Sequence, residues 1–269
     1  MSAPSDYTLP MPFVESNRAQ IHYVLEGPAG RPVLVLSNSL GTDFSMWDPQ
    51  ISEFTKSFRV LRYDTRGHGK SSVTAGPYSA EQLANDVLAL ADALKLDRFH
   101  FCGLSMGGMT GMWLGANAPQ RLNRVVICSA SAKFGSLETW STRIETVRKQ
   151  GMKPVAAAAI ERWFTSAFRA RNPSAAANTQ KMVESANPEG YISCCAAVRD
   201  FDFREQLGKI HTPTLVISGA HDPATTPADG RFLADHIPGA RYVEFNAAHL
   251  SNVEDADRFT EEVSGFLNS

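Results

Sequence analysis

The sequence has no long apolar run; nowhere do hydrophobic residues reach the ~20 in succession that a membrane-crossing helix needs. It has no surplus of one charge either, with 26 Lys and Arg against 28 Asp and Glu. That balance offers no basic footprint for a nucleic acid or an anionic membrane face, so neither is expected as a partner. The amino-terminal stretch MSAPSDYTLPMPF lacks the basic start and apolar run of a secretory signal. Cysteine is scarce, and its four positions are Cys102, Cys128, Cys194 and Cys195. Two lie in apolar strand-like runs and two are adjacent, which suits neither a disulfide framework nor metal ligation. Reduced, buried thiols and a cytoplasmic setting are expected. No Gly-x-Gly-x-x-Gly follows a strand, and Gly69-Lys70-Ser71 has Asp64 where a phosphate-binding loop needs its first glycine. The sequence therefore predicts no metal and no organic cofactor.

What is present is an ordinary globular balance over 269 residues, 43% of them apolar and 20% charged. QIHYVLEG, PVLVLSN and FRVLRYD are short apolar runs ended by Gly, Asn or Asp, and they read as strands. SAEQLANDVLALADALKL carries apolar residues at helical spacing behind a serine. RFHFCG reads as a strand, SMGGMTGMWLGANAP as a helix stopped by Pro119, and RVVICSA as a further buried strand. This alternation predicts an α/β fold with a mostly parallel sheet covered on both faces. From about Ser131 to Arg199 strand signals vanish, and TRIETVRKQG, PVAAAAIERWFTSAF and SAAANTQKMVESA read as helices. TPTLVISG, RFLADHI, ARYVEF and ADRFTEEVSGFL then restore the alternation. The expected organisation is a core of residues 1–131 and 200–269 with a helical cap, 132–199, inserted into it.

The strongest chemical signal is Gly103-Leu104-Ser105-Met106-Gly107, between a strand and a helix that begins at Met106. A strand–turn–helix around Gly-x-Ser-x-Gly is a nucleophile elbow, which lifts the serine hydroxyl above the carboxyl edge of the sheet. A serine needs a base, and in such folds an acid and then a histidine follow it along the chain. His249, in FNAAHLSN after strand ARYVEF, is the expected base. Asp222, in ISGAHDPATT after strand TPTLVISG, is the expected acid. Asp200 and Asp202 precede that strand and Asp229 should lie inside the next helix, so Asp222 is preferred to all three. Of the other histidines, His22 and His100 fall in strands and His211 and His236 near surface connections, whereas His68 and His221 sit in strand-end loops and could line a pocket. The oxyanion formed on attack requires waiting donors. The N–H of Met106 is one; the N–H of Leu40, in SNSLGTDFSMW after the third strand, is assigned as the second. Asp64 and Arg66, in DTRGHGKSS, read as braces of loops near the site.

SNSLGTDFSMWDPQ, VLRYDTRGHGKSS, FCGLSMGGMTGMWLG and TPTLVISGAHDPATTP together resemble the 3-oxoadipate enol-lactonases, cytoplasmic α/β-hydrolases of bacterial aromatic-acid breakdown (the β-ketoadipate pathway). The likeness continues through TRIETVRKQGM, ERWF and SCCAAVRDFD in the cap. It implies an anionic small-molecule substrate, a five-membered enol lactone with a carboxymethyl arm, opened to 3-oxoadipate. The arm needs a cationic partner, since a bare carboxylate is costly to bury. Candidates are Arg143 with Trp140, three residues apart and so on one helical face, and Arg162 with Trp163. Arg143 is taken to hold the carboxylate, with Trp140 and Trp163 walling the pocket. A general carboxylesterase, a perhydrolase or a carbon–carbon bond hydrolase would use the same triad, and a ligand receptor could keep the fold.

Overall fold

The computed structural model describes residues 12–269, so most of the stretch examined for a secretory signal lies outside the described residues. β1 (Phe13–Ser16) and β2 (Ala19–Glu26) form an antiparallel hairpin at one edge. β3 (Val33–Ser37), α1 (Asp48–Ser57) and β4 (Arg59–Tyr63) follow, then α2 (Ala80–Ala93), β5 (Phe99–Leu104), α3 (Met106–Asn117) and β6 (Leu122–Cys128). Five helices come next: α4 (Leu137–Gln150), α5 (Lys153–Trp163), α6 (Ser166–Arg171), α7 (Pro173–Glu184) and α8 (Pro188–Arg199). The chain then returns through β7 (Thr214–Gly219), α9 (Pro227–His236), β8 (Arg241–Phe245), the short α10 (Ser251–Glu254) and α11 (Ala256–Asn268).

The eight strands form one sheet in the order β1-β2-β4-β3-β5-β6-β7-β8, antiparallel at the β1 and β2 edge and parallel from β4 to β8. Parallel neighbours cannot be joined by a tight turn, which is why a helix stands between successive ones. Every residue of β5 and of β7 is buried, because helices cover both faces; hence their unbroken apolar sequences. α2 starts where the Ser79 side chain accepts the Gln82 N–H, and it buries Leu83, Val87 and Leu90. From β3 the chain steps outward to β4 and then returns to β5 on β3's other side. The loops leaving β3 and β5 therefore diverge, and an α/β sheet offers its crevice at such a switch point.

Three details differ from the sequence reading. The β1 hairpin strand was too short to leave a periodic signal. The run PVAAAAIERWFTSAF is two helices, because Thr165 is extended and its Oγ1 accepts the Phe168 N–H at 3.2 Å, starting α6 afresh. α10 intervenes between His249 and the last helix. No helix among the described residues is long and apolar enough to cross a membrane. All four cysteines are free and buried.

Candidate active site

Ser105 stands at the tip of β5 with φ 58° and ψ −109°, a backbone conformation side chains rarely adopt. The turn holds it there: Ser105 N–H donates to the Cys128 carbonyl at 2.8 Å, and Met109 N–H returns to the Ser105 carbonyl at 2.9 Å. The flanking glycines are required by close approach. A Cβ at Gly103 would lie 2.1 Å from the Gly107 carbonyl oxygen, and one at Gly107 would lie 2.2 Å from that of Ser37.

His249 Nδ1 lies 2.7 Å from Asp222 Oδ2. Asp222 also accepts from the N–H groups of Ala224 and Thr225 at 2.7 and 3.1 Å, and from Thr225 Oγ1 at 2.7 Å. Burial alone would raise the pKa of Asp222, but the charge and hydrogen bond of His249, with the Thr225 bonds, outweigh it and hold the carboxyl below its usual range. The imidazole is stacked on Trp163, ring centres 5.9 Å apart. His249 Nε2 has no partner among the described residues, and both His249 and Ser105 line one cavity of about 50 Å³.

The loop after β3 is fixed from several sides. Asn38 gives its side-chain N–H to the Tyr63 carbonyl and accepts from Trp47 Nε1, at 2.9 and 3.0 Å, while its backbone carbonyl accepts Gly107 N–H at 3.0 Å. Gly41 N–H donates to His68 Nε2 at 2.9 Å. Burial lowers the pKa of His68, favouring the neutral ring that such an acceptor requires. The N–H groups of Leu40 and Met106 donate to no atom among the described residues, and Leu40 lines the cavity.

Helices α4, α5, α7 and α8 supply the roof, through Trp140 and Arg143, Ala159, Arg162 and Trp163, Val183, and Tyr191. The Arg143 guanidinium sits 4.4 Å from the centre of the Trp140 ring, whose Nε1 donates to the Phe134 carbonyl at 2.7 Å. Thus Ser105, His249, Leu40, Trp140, Arg143 and Trp163 share one cavity, with Asp222 directly behind the imidazole. His221 is different: it is exposed and bonds Asn246 at 2.8 Å on an outer cleft. His68 braces the β3 loop and lines none of the cavity. Asp64 bonds His22 Nδ1 and the N–H groups of Phe44 and Lys70, and Arg66 is paired with buried Asp86 at 2.5 Å. Asp229 closes the capping box at the start of α9. Sequence reasoning missed Thr225, although Asp followed three residues later by Thr is a turn signature, and Tyr191, which carried no local signal.

A model of the alpha/beta hydrolase fold matches residues 32–256. The chain is an α/β-hydrolase. Curated relatives of this α/β-hydrolase include 3-oxoadipate enol-lactonase 2 of Acinetobacter baylyi, 44% identical over 92% of each chain. The 3-oxoadipate enol-lactonase 1 of the same organism is 39% identical over 91% of this chain and 92% of its own. Among solved structures, the enol-lactonase from Burkholderia xenovorans LB400 is 48% identical and superposes with a TM-score of 0.95, covering 96% of this α/β-hydrolase and 100% of that chain. The likeness therefore spans the five-helix segment as well as the sheet. Among the described residues, no group of three or more His, Cys, Asp or Glu side chains is arranged to hold a metal ion.

Proposed function

We propose that this chain hydrolyses 3-oxoadipate enol-lactone to 3-oxoadipate. The observation that carries the reading is the union, around one small cavity, of Ser105, His249 backed by Asp222, and Arg143, an arginine without a carboxylate partner among the described residues. The full-length similarity to enol-lactonases supports the choice of substrate.

In the acylation step His249 Nε2 takes the Ser105 proton as Oγ bonds to the lactone carbonyl carbon. The oxyanion is met by the Leu40 and Met106 N–H groups, which are already in place and need no reorganisation. Collapse breaks the bond to the ring oxygen, which leaves as an enol after receiving the proton from the imidazolium, and the enol ketonises. Water, deprotonated by His249, then attacks the acyl carbon and frees Ser105. Asp222 holds the imidazole tautomer and offsets its charge throughout. The enol is a good leaving group, so this chain's own residues suffice for each proton transfer. Residues 132–199 act as the cap, with Arg143 taking the carboxymethyl carboxylate between the indoles of Trp140 and Trp163. The free thiols fit action in the cytoplasm.

Turnover of the enol lactone, compared with a neutral aryl ester, tests the assignment. Wild-type protein should prefer the lactone, and Ser105→Ala should cost on the order of 10⁴-fold or more in kcat with folding intact. Arg143→Ala should raise KM for the lactone at least ten-fold and spare the neutral ester. Hydrolysis of the aryl ester alone, or an equal effect of Arg143→Ala on both substrates, would refute the substrate or the charge pairing respectively.

A further inference from the structure

The cavity above Ser105 holds a second cation. Arg162, on α5, lines it alongside Arg143 on α4, and these are the only charged side chains among its lining residues. Neither guanidinium has a carboxylate partner among the described residues; Arg143 lies against Trp140 and the Tyr191 hydroxyl, and Arg162 makes no side-chain hydrogen bond. The two feel each other: burial, and then the charge of Arg143, pull the pKa of Arg162 down. The negative charge of Asp222 lies behind the imidazole, committed to His249 and Thr225. Two like charges facing one small space are unfavourable unless anionic charge arrives to offset them. A lactone with one carboxylate brings one charge, and hydrolysis creates a second.

We propose that Arg143 and Arg162 together make this cavity a dicarboxylate site, matched in charge to the diacid product rather than to the monoanionic substrate. The inference rests on the lactonase reading for the identity of that product. Arg162 lines the same small cavity as Ser105 and His249, so it faces the place where the new carboxylate is released from Ser105. Each guanidinium can take a carboxylate by a charge-assisted fork. Arg162 also lines the outer cleft of about 770 Å³, where Arg169 is paired with Glu161 at 2.7 Å and Arg171, Glu254 and Asp255 share the wall, so the same side chain reaches both the cavity and the outside. The enzyme is then held back by its own product and by unreactive diacids of similar length. The reaction that consumes the keto diacid must keep its concentration low.

Calorimetric titration of the intact protein with adipate and with hexanoate tests this, alongside inhibition of neutral aryl ester hydrolysis by the same two acids. Adipate should bind at least ten-fold more tightly than hexanoate and inhibit competitively. Arg162→Gln and Arg143→Gln should each erase most of that preference, and Arg162→Lys should retain part of it, with thermal midpoints confirming that all three fold. Equal binding of the two acids, or a preference that survives Arg162→Gln, would overturn the proposal. The two readings fail separately: a diacid preference in a protein that leaves the lactone intact removes the lactonase assignment alone, whereas lactone turnover without that preference removes only the diacid site.

Discussion

His68 is distant in sequence from every reacting group, yet its Nε2 accepts the Gly41 N–H and so sets the loop that presents Leu40. Its Nδ1 faces the Arg66 carbonyl at 3.4 Å and its ring lies beside Tyr191, ring centres 6.4 Å apart, so the imidazole is boxed in. Removing it leaves Gly41 N–H without an acceptor and frees the turn, and under the proposed mechanism a small misplacement of the Leu40 N–H is costly because oxyanion donors act by prior alignment. His68→Ala should lower kcat about ten-fold on lactone and aryl ester alike, with KM little changed. His68→Gln, whose side-chain carbonyl can accept the same hydrogen, should recover part of the loss. A change confined to KM would show that His68 acts on binding instead. Here the residue chemistry was legible in the RGHG motif, but the role was not, because the partner N–H lies 27 positions away.

At the scale of elements, the joint between α5 and α6 is tied to the loop that carries His249. Glu254, on α10, accepts from the Thr165 N–H at 3.2 Å, from the Thr165 hydroxyl, and from the Ala248 N–H at 3.0 Å. Leu250 N–H adds a bond to the Trp163 carbonyl at 3.1 Å. One carboxylate thus couples the roof to the loop of His249, and the Trp163 ring is stacked on the imidazole from the same joint. Glu254→Ala leaves two backbone donors unpaired and should destabilise the protein by about 1–3 kcal/mol. Urea denaturation should register this, and hydrogen exchange should quicken at residues 164–168 and 248–250. Glu254→Gln, which keeps an acceptor, should lose less. Unchanged exchange in the alanine variant would mean that packing, not the carboxylate, holds the joint. The break itself was hidden in sequence: the run from Pro154 to Phe168 has helical periodicity throughout, and only the Thr165 side chain, capping α6, interrupts it.

For the whole molecule, acid sensitivity follows from histidines that the fold keeps neutral. His100, in β5, is buried against Phe58, and burial with the nearby Arg124 charge takes its pKa down to about 4; burial lowers that of His68 as well. An unfolded histidine titrates near 6.5, so between about 6.5 and 4 the unfolded chain binds protons that the native protein refuses. Stability is complete above that window and is lost as pH falls through it, by at most about 3 kcal/mol for His100. Asp222 adds a further loss at lower pH, since its carboxyl is held below the usual range and the unfolded chain again takes the proton first. Thermal midpoints should therefore decline from pH 6.5 towards 4, and His100→Phe should flatten the decline. A midpoint in the variant that still falls as steeply would assign the effect to other groups.

The chain's local patterns were sufficient for the alternation of strand and helix and for the strand–turn–helix around Ser105, because each is encoded by neighbours within a few residues; the pairing of His249 with Asp222 joins loops 27 positions apart. The sequence by itself could also name Trp140 and Arg143 as a pair, since helical spacing puts them on one face. Only the tertiary structure decided that Arg162 joins Arg143 over Ser105, that Tyr191 walls the same space, and that Glu254 fastens the roof to the loop of His249. Those contacts link elements whose separation along the chain carries no periodic trace. Long-range packing and charge, rather than local propensity, fix them.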